Sequence, residues 1–417
     1  MATLITNIKT LVNVREKSKL LRGTELAELP CIENAYLVID DGIIAEYGMM
    51  SNLKPQSRGL SGPNFQLTID ASGQFILPCW CDSHTHLVFA ASREEEFVDK
   101  LKGMSYADIA AKGGGILNSA KRLNEIEFDE LYNLSLLRLQ DVIKSGTGAI
   151  EIKSGYGLTV EGELKMLRVI KRLKEASPIP IRTTFLGAHT YPLEYKENHK
   201  GYIDLIINEM LPVIAQEKLA EYIDVFCEEG FFSPGETEII CEAGMQYGLK
   251  PKIHANQLSL SGGVELGVKL NAVSVDHLET MDKSTIATLA TSKTIGTLLP
   301  TAAFFLRMPF QPARKLIDAG CAIALASDYN PGSSPSGNMN LVVVMSCIGM
   351  KMLPEEAINA ATINGAYAME LEKEVGSITV GKKANLVFTK PIPSLAYLPY
   401  SFGTNLIDKV MINGEIV

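Results

Sequence analysis

Short apolar runs rich in β-branched residues recur through the middle of the chain and alternate with longer stretches of mixed charge. Such runs are typical of buried strands, and the longer stretches, such as 161–176 and 355–369, are typical of helices. The predicted strands are 75–80, 147–152, 180–186, 222–226, 251–253, 272–275, 294–299 and 322–326. Eight alternating units of this kind predict an α/β fold with a closed (β/α)8 TIM-like barrel, the alternative being a doubly wound open sheet.

Both ends of the chain have a different pattern, with short alternating segments and frequent turn residues. The run 35–39 is followed by Asp40-Asp41-Gly42 and two further apolar residues, which predicts a β-hairpin. Short strand-like runs return at 376–381, 384–388 and 410–414. We therefore expect a small β-sandwich domain formed by residues 1–75 and 375–417, and a barrel domain over 76–374.

Composition and charge argue against several kinds of partner and favour one cellular compartment. A formal net charge of −9 gives no basic surface for nucleic acid, so no nucleic-acid partner is expected. The first twenty residues hold neither a signal-peptide core nor a membrane span, so no membrane partner is expected. Seven cysteines form no CxxC pair, which favours reduced thiols and a cytoplasmic protein.

Five of the six histidines lie at or just past the carboxyl end of a predicted strand, where barrels form their active sites. His84 and His86 follow the first strand and, at spacing i and i+2, can face the same ion. The others at strand ends are His189, His254 and His277, and Asp328 closes the eighth strand. The sixth, His199, lies in a polar helical stretch and is expected at the surface.

A lone histidine near a strand end is more often a hydrogen-bonded structural residue, and an HxH pair alone is a weak indication of metal. Because several strands contribute at one rim, the set favours a catalytic metal site with an open position for water. A bound Zn²⁺ or Fe²⁺ lowers the pKa of a water ligand to about 7, which suits the hydrolysis of an amide. Asp328 is expected to carry the proton and His277 to hydrogen-bond the developing oxyanion.

Several longer sequence motifs resemble those of one known enzyme family, which makes the resemblance more specific than single histidines do. They include Glu151-Ile-Lys-Ser-Gly-Tyr-Gly-Leu158, His254-Ala-Asn-Gln-Leu-Ser259 and Asp328-Tyr-Asn-Pro-Gly-Ser-Ser334. Further matches are found at 84–97, 105–106, 113–116 and 185–189. Over essentially its whole length the chain resembles the imidazolonepropionases of the amidohydrolase superfamily, whose fold is a barrel with a β domain formed from both termini.

The resemblance implies an activity and a metal site. The reaction would be hydrolysis of the cyclic amide of 4-imidazolone-5-propanoate to N-formimidoyl-L-glutamate in L-histidine degradation, by a metal-activated water. One divalent metal ion per chain, Zn²⁺ or Fe²⁺/Fe³⁺, would be bound. Its ligands would be His84, His86, His254 and Asp328. A homodimer is implied as well.

The resemblance also implies substrate contacts. Arg93 would hold the propionate carboxylate through its guanidinium, although a surface salt bridge with a residue of 94–96 is the alternative. Tyr106 would help to close the pocket or, alternatively, pack as a core tyrosine. The remaining contacts would be Tyr156, His189, Gln257, Asn330, Gly332 and Ser333.

Other functions fit the sequence less well. Mononuclear deaminases of the superfamily resemble one another in a glutamate three residues beyond the fifth-strand histidine, where this chain has Gln257. A binuclear relative would need a lysine on the fourth strand, and 222–229 contains none. A non-catalytic scaffold would not need the full ligand set, and the absence of a P-loop disfavours a nucleotide-dependent enzyme.

Overall fold

The computed structural model describes residues 2–53, 65–104 and 114–417. Within them sixteen strands form two separate sheets. The strands are β1 (Thr3–Val12), β2 (Cys31–Asp40), β3 (Ile43–Met49), β4 (Leu67–Asp70), β5 (Phe75–Pro78), β6 (Trp80–Asp82), β7 (Thr147–Lys153), β8 (Ile181–Ala188), β9 (Tyr222–Cys227), β10 (Lys250–Ala255), β11 (Ser274–His277), β12 (Ile295–Leu298), β13 (Ile323–Leu325), β14 (Leu386–Thr389), β15 (Ile407–Ile412) and β16 (Glu415–Ile416).

Strands β6 to β13 follow one another in chain order, and each pairs in parallel with the next. The sheet closes just beyond its first and last strands, where Asp328 N donates to His84 O at 3.0 Å. Nearby, His86 N donates to Tyr329 O at 2.9 Å. The predicted (β/α)8 barrel is confirmed, and its closing seam carries three of the residues expected to bind metal.

The other sheet is mixed and draws on both ends of the chain. Its order is β16-β15-β14-β5-β1-β2-β3, with β4 paired to β1. The predicted hairpin is confirmed as β2 and β3, joined through Asp41 and Gly42 at positive φ values of 47° and 78°. Buried side chains such as Ile5, Leu37 and Phe388 from distant strands share one core. The domain limits expected above, 1–75 with 375–417 and 76–374, stay a prediction.

The predicted strand at 75–80 is wrong as a single element, because its two halves belong to different sheets. Its first half is β5, which pairs with β1 and β14, and its second half begins β6 of the barrel. The Cys79 N–H donates to Asn385 O, and the next N–H, of Trp80, donates to Gly146 O, both at 2.9 Å. The whole run is buried on both sides, so its apolar pattern contains no break.

Helices surround the barrel. They span Glu94–Leu101, Ile116–Glu125, Phe128–Lys144, Val160–Ala176, His199–Leu205, Leu211–Glu217, Pro234–Gln246, Gly263–Lys269, Lys283–Ala290, Pro300–Leu306, Ala313–Asp318, Met339–Met350, Pro354–Ala361, Ile363–Ala368 and Tyr397–Tyr400. Shorter 3₁₀ turns lie at Gly23–Ala27, Met50–Asn52 and Leu193–Tyr195, and a π-helical segment at Ile206–Met210. The predicted helix 161–176 is confirmed, whereas 355–369 is two helices because Thr362 leaves helical geometry at φ −121° and ψ −88°. Of the helices in the described ranges, none is both long and apolar enough to cross a membrane.

Gly365 allows the helix Ile363–Ala368 to lie directly on the first barrel strand. A Cβ at this position would meet the Cys81 carbonyl oxygen at 2.3 Å. We expect Gly365→Ala to destabilise the protein by about 2 kcal/mol, since the helix must move away from β6. Thermal unfolding measures the loss. Gly235→Ala is the matched control, because nothing lies within 4 Å of a Cβ there, and an equal loss in both variants would contradict this packing argument.

Candidate metal centre

Three buried imidazoles converge at the carboxyl end of the barrel. His84 and His86 follow β6, and His254 lies in β10 on the opposite part of the rim. One ring nitrogen from each lies within 4.8 Å of the others. The ring centroids are 4.5 Å apart for His84 and His254, and 5.3 Å apart for His84 and His86. These distances suit three ligands of one cation.

Asp328 follows β13 and faces the same point. Its Oδ1 lies 3.5 Å from Nε2 of both His84 and His86. The residue adopts a positive φ of 52°, which turns the chain sharply after the strand. Burial raises the pKa of the Asp328 carboxyl to about 7. The carboxylate thus lies beside His84 and His86, where it could supply an oxygen ligand.

Unsatisfied ring nitrogens provide an independent test of whether this set fits a metal ion. Nε2 of His84 and Nε2 of His254 are buried without a hydrogen-bond partner among the described residues, and His86 directs its Nε2 toward Asp328 Oδ1. Burial lowers the pKa of His84 and His86 well below the usual range, so both imidazoles are neutral. A neutral imidazole nitrogen that accepts no hydrogen bond has its lone pair free to bind a transition-metal ion.

Two of the imidazoles face carboxylates on other strands of the barrel. His84 Nδ1 lies 2.7 Å from Asp276 Oδ2, and His254 Nδ1 lies 2.9 Å from Asp224 Oδ2. The latter contact is close, but its angles do not make a hydrogen bond. A carboxylate behind a ligand histidine fixes the ring and its tautomer. Neither aspartate was among the residues predicted for the site.

His277 ends β11 beside this set. Its ring centroid is 5.2 Å from that of His254, and an alternative group of three possible ligands joins it to His84 and Asp328. Burial opposes a charge on His277, but neighbouring carboxylates, Glu279 first, outweigh it and raise the pKa of the imidazole. Glu279 Oε1 lies 3.5 Å from His277 Nδ1. His277 is therefore placed to donate a hydrogen bond toward the centre of the site.

A cavity opens over the centre and gathers most of the residues expected to bind substrate. Its lining comprises His86, Tyr156, His189, Phe226, His254, Gln257, His277, Asp328, Asn330 and Ser333. His189 stacks on His86 at 5.3 Å between ring centroids, and burial lowers its pKa to about 3. Phe226 was missed, although it stands two residues after Asp224 and so faces the same side of β9. Tyr106 lies outside the described residues.

Arg93 does not line that cavity but reaches its edge. The guanidinium pairs with Glu96 at 2.7 Å, as the alternative interpretation expected. It is nonetheless largely buried, with 13% of the side chain exposed. A Cβ on Gly332 would lie 2.3 Å from Arg93 Nη1. Arg93 therefore packs against the loop after β13, and its expected contact with the propionate carboxylate stays a prediction.

Polar side chains fix the loops around the cavity. Asn330 Oδ1 accepts from the backbone N–H groups of Gly332 and Ser333, both at 2.8 Å, so its amide organises its own loop. Glu228 accepts from the N–H groups of Leu258 and Ser259 at 3.0 Å, directly after Gln257. Buried acceptors of this kind hold the cavity walls in one arrangement.

Two further expectations concern residues outside the cavity. His199 lies away from the centre, where it stacks on Tyr191 at 3.7 Å and contacts Glu236 at 3.0 Å. All seven cysteines are free. Cys79 and Cys81 are buried among apolar side chains, and burial raises the pKa of both thiols, so they serve as core residues.

The fold is shared with solved structures of low sequence identity. A triazine hydrolase variant superposes with a TM-score of 0.74 at 16% identity, covering 100% of this chain and 94% of that one. Guanine deaminase of E. coli gives a TM-score of 0.74 at 13% identity, covering 100% and 99%. These likenesses concern the fold alone.

Sequence relatives are much closer. The model of the amidohydrolase family matches residues 75–417. Imidazolonepropionase of Flavobacterium johnsoniae is 59% identical over 418 residues, covering 100% of both chains. The protein of the same name from Parabacteroides distasonis is 43% identical, covering 95% of this chain and 94% of its own. The chain therefore belongs to the amidohydrolase family and, within it, to the imidazolonepropionases.

Proposed function

We propose that this chain hydrolyses the cyclic amide of 4-imidazolone-5-propanoate to N-formimidoyl-L-glutamate in L-histidine degradation. Its membership of the imidazolonepropionases supports this substrate. The observation that carries the chemistry is the convergence of three buried imidazoles and Asp328 beneath the cavity. The resemblance further supports a cytoplasmic homodimer.

One ion per chain would be held by His84, His86, His254 and Asp328. Imidazole nitrogens and a carboxylate oxygen accept both Zn²⁺ and iron, so either metal suits the donor set. When bound, the ion supplies Lewis acidity that makes water a nucleophile near neutral pH. The buried ring nitrogens without a partner support this ligand set.

Asp328 would move the proton. It takes a proton from the attacking water and delivers it to the departing ring nitrogen, which needs a group that is readily protonated near neutral pH. The position of its carboxyl beside His84 and His86 supports this role, and in the metal-free site burial raises its pKa. His277 would donate a hydrogen bond to the oxyanion that develops on the carbonyl oxygen.

The rest of the cavity would bind and orient the substrate. Arg93 holds the propionate carboxylate at the edge of the cavity, beside Gly332 and Ser333. Tyr156, His189, Gln257 and Asn330 face the ring and the newly opened amide. Gln257 also argues against deamination, because an amide donates hydrogen bonds but cannot carry the proton that a glutamate would. Tyr106 keeps its expected role as a prediction only.

The loss of substrate absorbance in the ultraviolet tests the activity, and Arg93 tests the substrate. We expect Arg93→Ala to raise KM about 100-fold, because a charge-assisted pair worth about 3 kcal/mol is lost. Metal content should stay that of the wild type. Arg122→Ala is the matched control, since this exposed arginine lies near Arg93 but outside the cavity. An unchanged KM in Arg93→Ala, or loss of metal, would assign Arg93 a structural role.

A further inference from the structure

Beneath the ligand imidazoles lies a cluster of charged side chains that the proposed reaction does not use. Its members are Glu151, Lys153, Asp224, Lys252 and Asp276, and none is more than 1% exposed. Charges buried this deeply are costly unless they are paired and oriented. Three carboxylates against two ammonium groups also leave one net negative charge directly below the place where a cation would bind.

Lys153 is the centre of this cluster. Its Nζ donates to Glu151 Oε1 at 2.6 Å and to Asp224 Oδ2 at 2.8 Å. The same atom lies 3.7 Å from Asp276 Oδ2. Each aspartate uses the same oxygen, Oδ2, toward Lys153 and toward its own imidazole. One ammonium group thus stands behind both His84 and His254.

We propose that Lys153 is a positioning residue for the metal, holding Asp224 and Asp276 so that both aim an imidazole Nε2 at the ion. This inference rests on the ligand set proposed above. It explains why Nε2 of His84 and of His254 is left free of other partners, since their Nδ1 atoms already face the carboxylates. Losing Lys153 should therefore disturb two ligands at once.

Lys252 offers a matched control within the same cluster. It is equally buried and pairs with the other oxygen of Glu151, and its Nζ also donates to Ser83 O at 3.2 Å. It has no ion pair with Asp224 or Asp276 within the described residues. If the cluster served only to neutralise buried charge, removing either lysine would have the same effect on metal binding.

The experiment measures Zn²⁺ affinity in metal-stripped full-length protein by competition with a chromophoric chelator. We expect Lys153→Met to weaken Zn²⁺ binding about 10- to 100-fold, the range for lost orienting contacts, and Lys252→Met to change it less than about threefold. In the Co²⁺-loaded protein, the visible absorption bands should shift in Lys153→Met and not in Lys252→Met.

Equal affinities in the two variants would overturn the proposal. If Lys153→Met does not fold, the double variants E151Q/K153M and E151Q/K252M repeat the comparison with matched charge, and the same inequality is expected. Failure of the wild-type protein to bind Zn²⁺ or iron at all would instead refute the proposed metal site. The two failures are thus distinguishable.

Discussion

Replacing Asp328 by asparagine is expected to lower kcat by about 10⁴-fold while leaving the fold intact. Asparagine keeps the shape of the side chain, so the hydrogen bond from Ser333 Oγ to Oδ2, at 3.3 Å, can still be made to its carbonyl oxygen. It cannot carry a proton, and general acid–base catalysis contributes about 10² to 10⁴ in rate. It is also a weaker ligand than a carboxylate. Kinetics with saturating metal separate turnover from metal loss.

Asp82 provides the control for this experiment. Its carboxyl is as deeply buried on the same seam, and burial raises its pKa to about 7 as well. It accepts hydrogen bonds from Ser327 N and Oγ at 2.9 and 2.6 Å, which an amide can largely replace. Asp82→Asn should lose less than about tenfold in kcat. Near-normal turnover in Asp328→Asn would reject its role as proton carrier.

The barrel could be predicted because parallel strands covered on both faces are almost continuously apolar. The same property hides where one sheet ends and another begins. Residues 75–80 are apolar throughout, so nothing in their pattern marks the passage from β5 to β6. The break at Thr362 was hidden for a similar reason, because the residues on both sides of it are buried and helical. At 75–80, hydrogen bonds to distant parts of the chain, not local preference, decide where one strand ends and the next begins.

The ligand histidines could be predicted because each stands at the end of a strand, where a polar residue interrupts an apolar run. The orienting residues could not, since a single charge within a strand is equally typical of an exposed edge. The spacing of these charged residues along each strand does indicate that they point into the barrel. In Glu151-Ile-Lys153 and Lys252-Ile-His254, charged side chains alternate with apolar ones, and such alternation in a barrel places them all inside. Only the register between strands showed that Lys153 meets Asp224 and Asp276.

Removing the metal is expected to abolish turnover and to restore it on reloading with Zn²⁺ or iron. Dialysis against a chelator should lower activity by more than about 10³-fold, because unassisted water is a poor nucleophile. Mg²⁺ should not restore it, since that ion prefers six oxygen ligands and this site offers mainly imidazole nitrogen. Recovery with Mg²⁺, or full activity in metal-free protein, would contradict the site.

The thermal stability of the protein should also be higher when the metal is bound. A ligand at 100 times its Kd stabilises a folded protein by about 2.7 kcal/mol, so the reloaded protein should have a higher Tm than the stripped one.

In the stripped protein the stability also depends on pH, because the pKa values of His84 and His86 are lowered on folding. Below about pH 6.5 the two imidazoles are protonated in the unfolded chain but stay neutral in the folded protein. The free energy of unfolding therefore falls as the pH drops. Asp328, whose pKa is raised to about 7, acts in the opposite sense and its contribution is lost as the pH rises through 7. Unfolding of stripped and loaded protein between pH 5 and 8 therefore reports whether the imidazoles dominate. Because cation binding needs the Asp328 carboxyl deprotonated, and its pKa is about 7 in the stripped protein, the difference in Tm between the two forms should shrink toward pH 5.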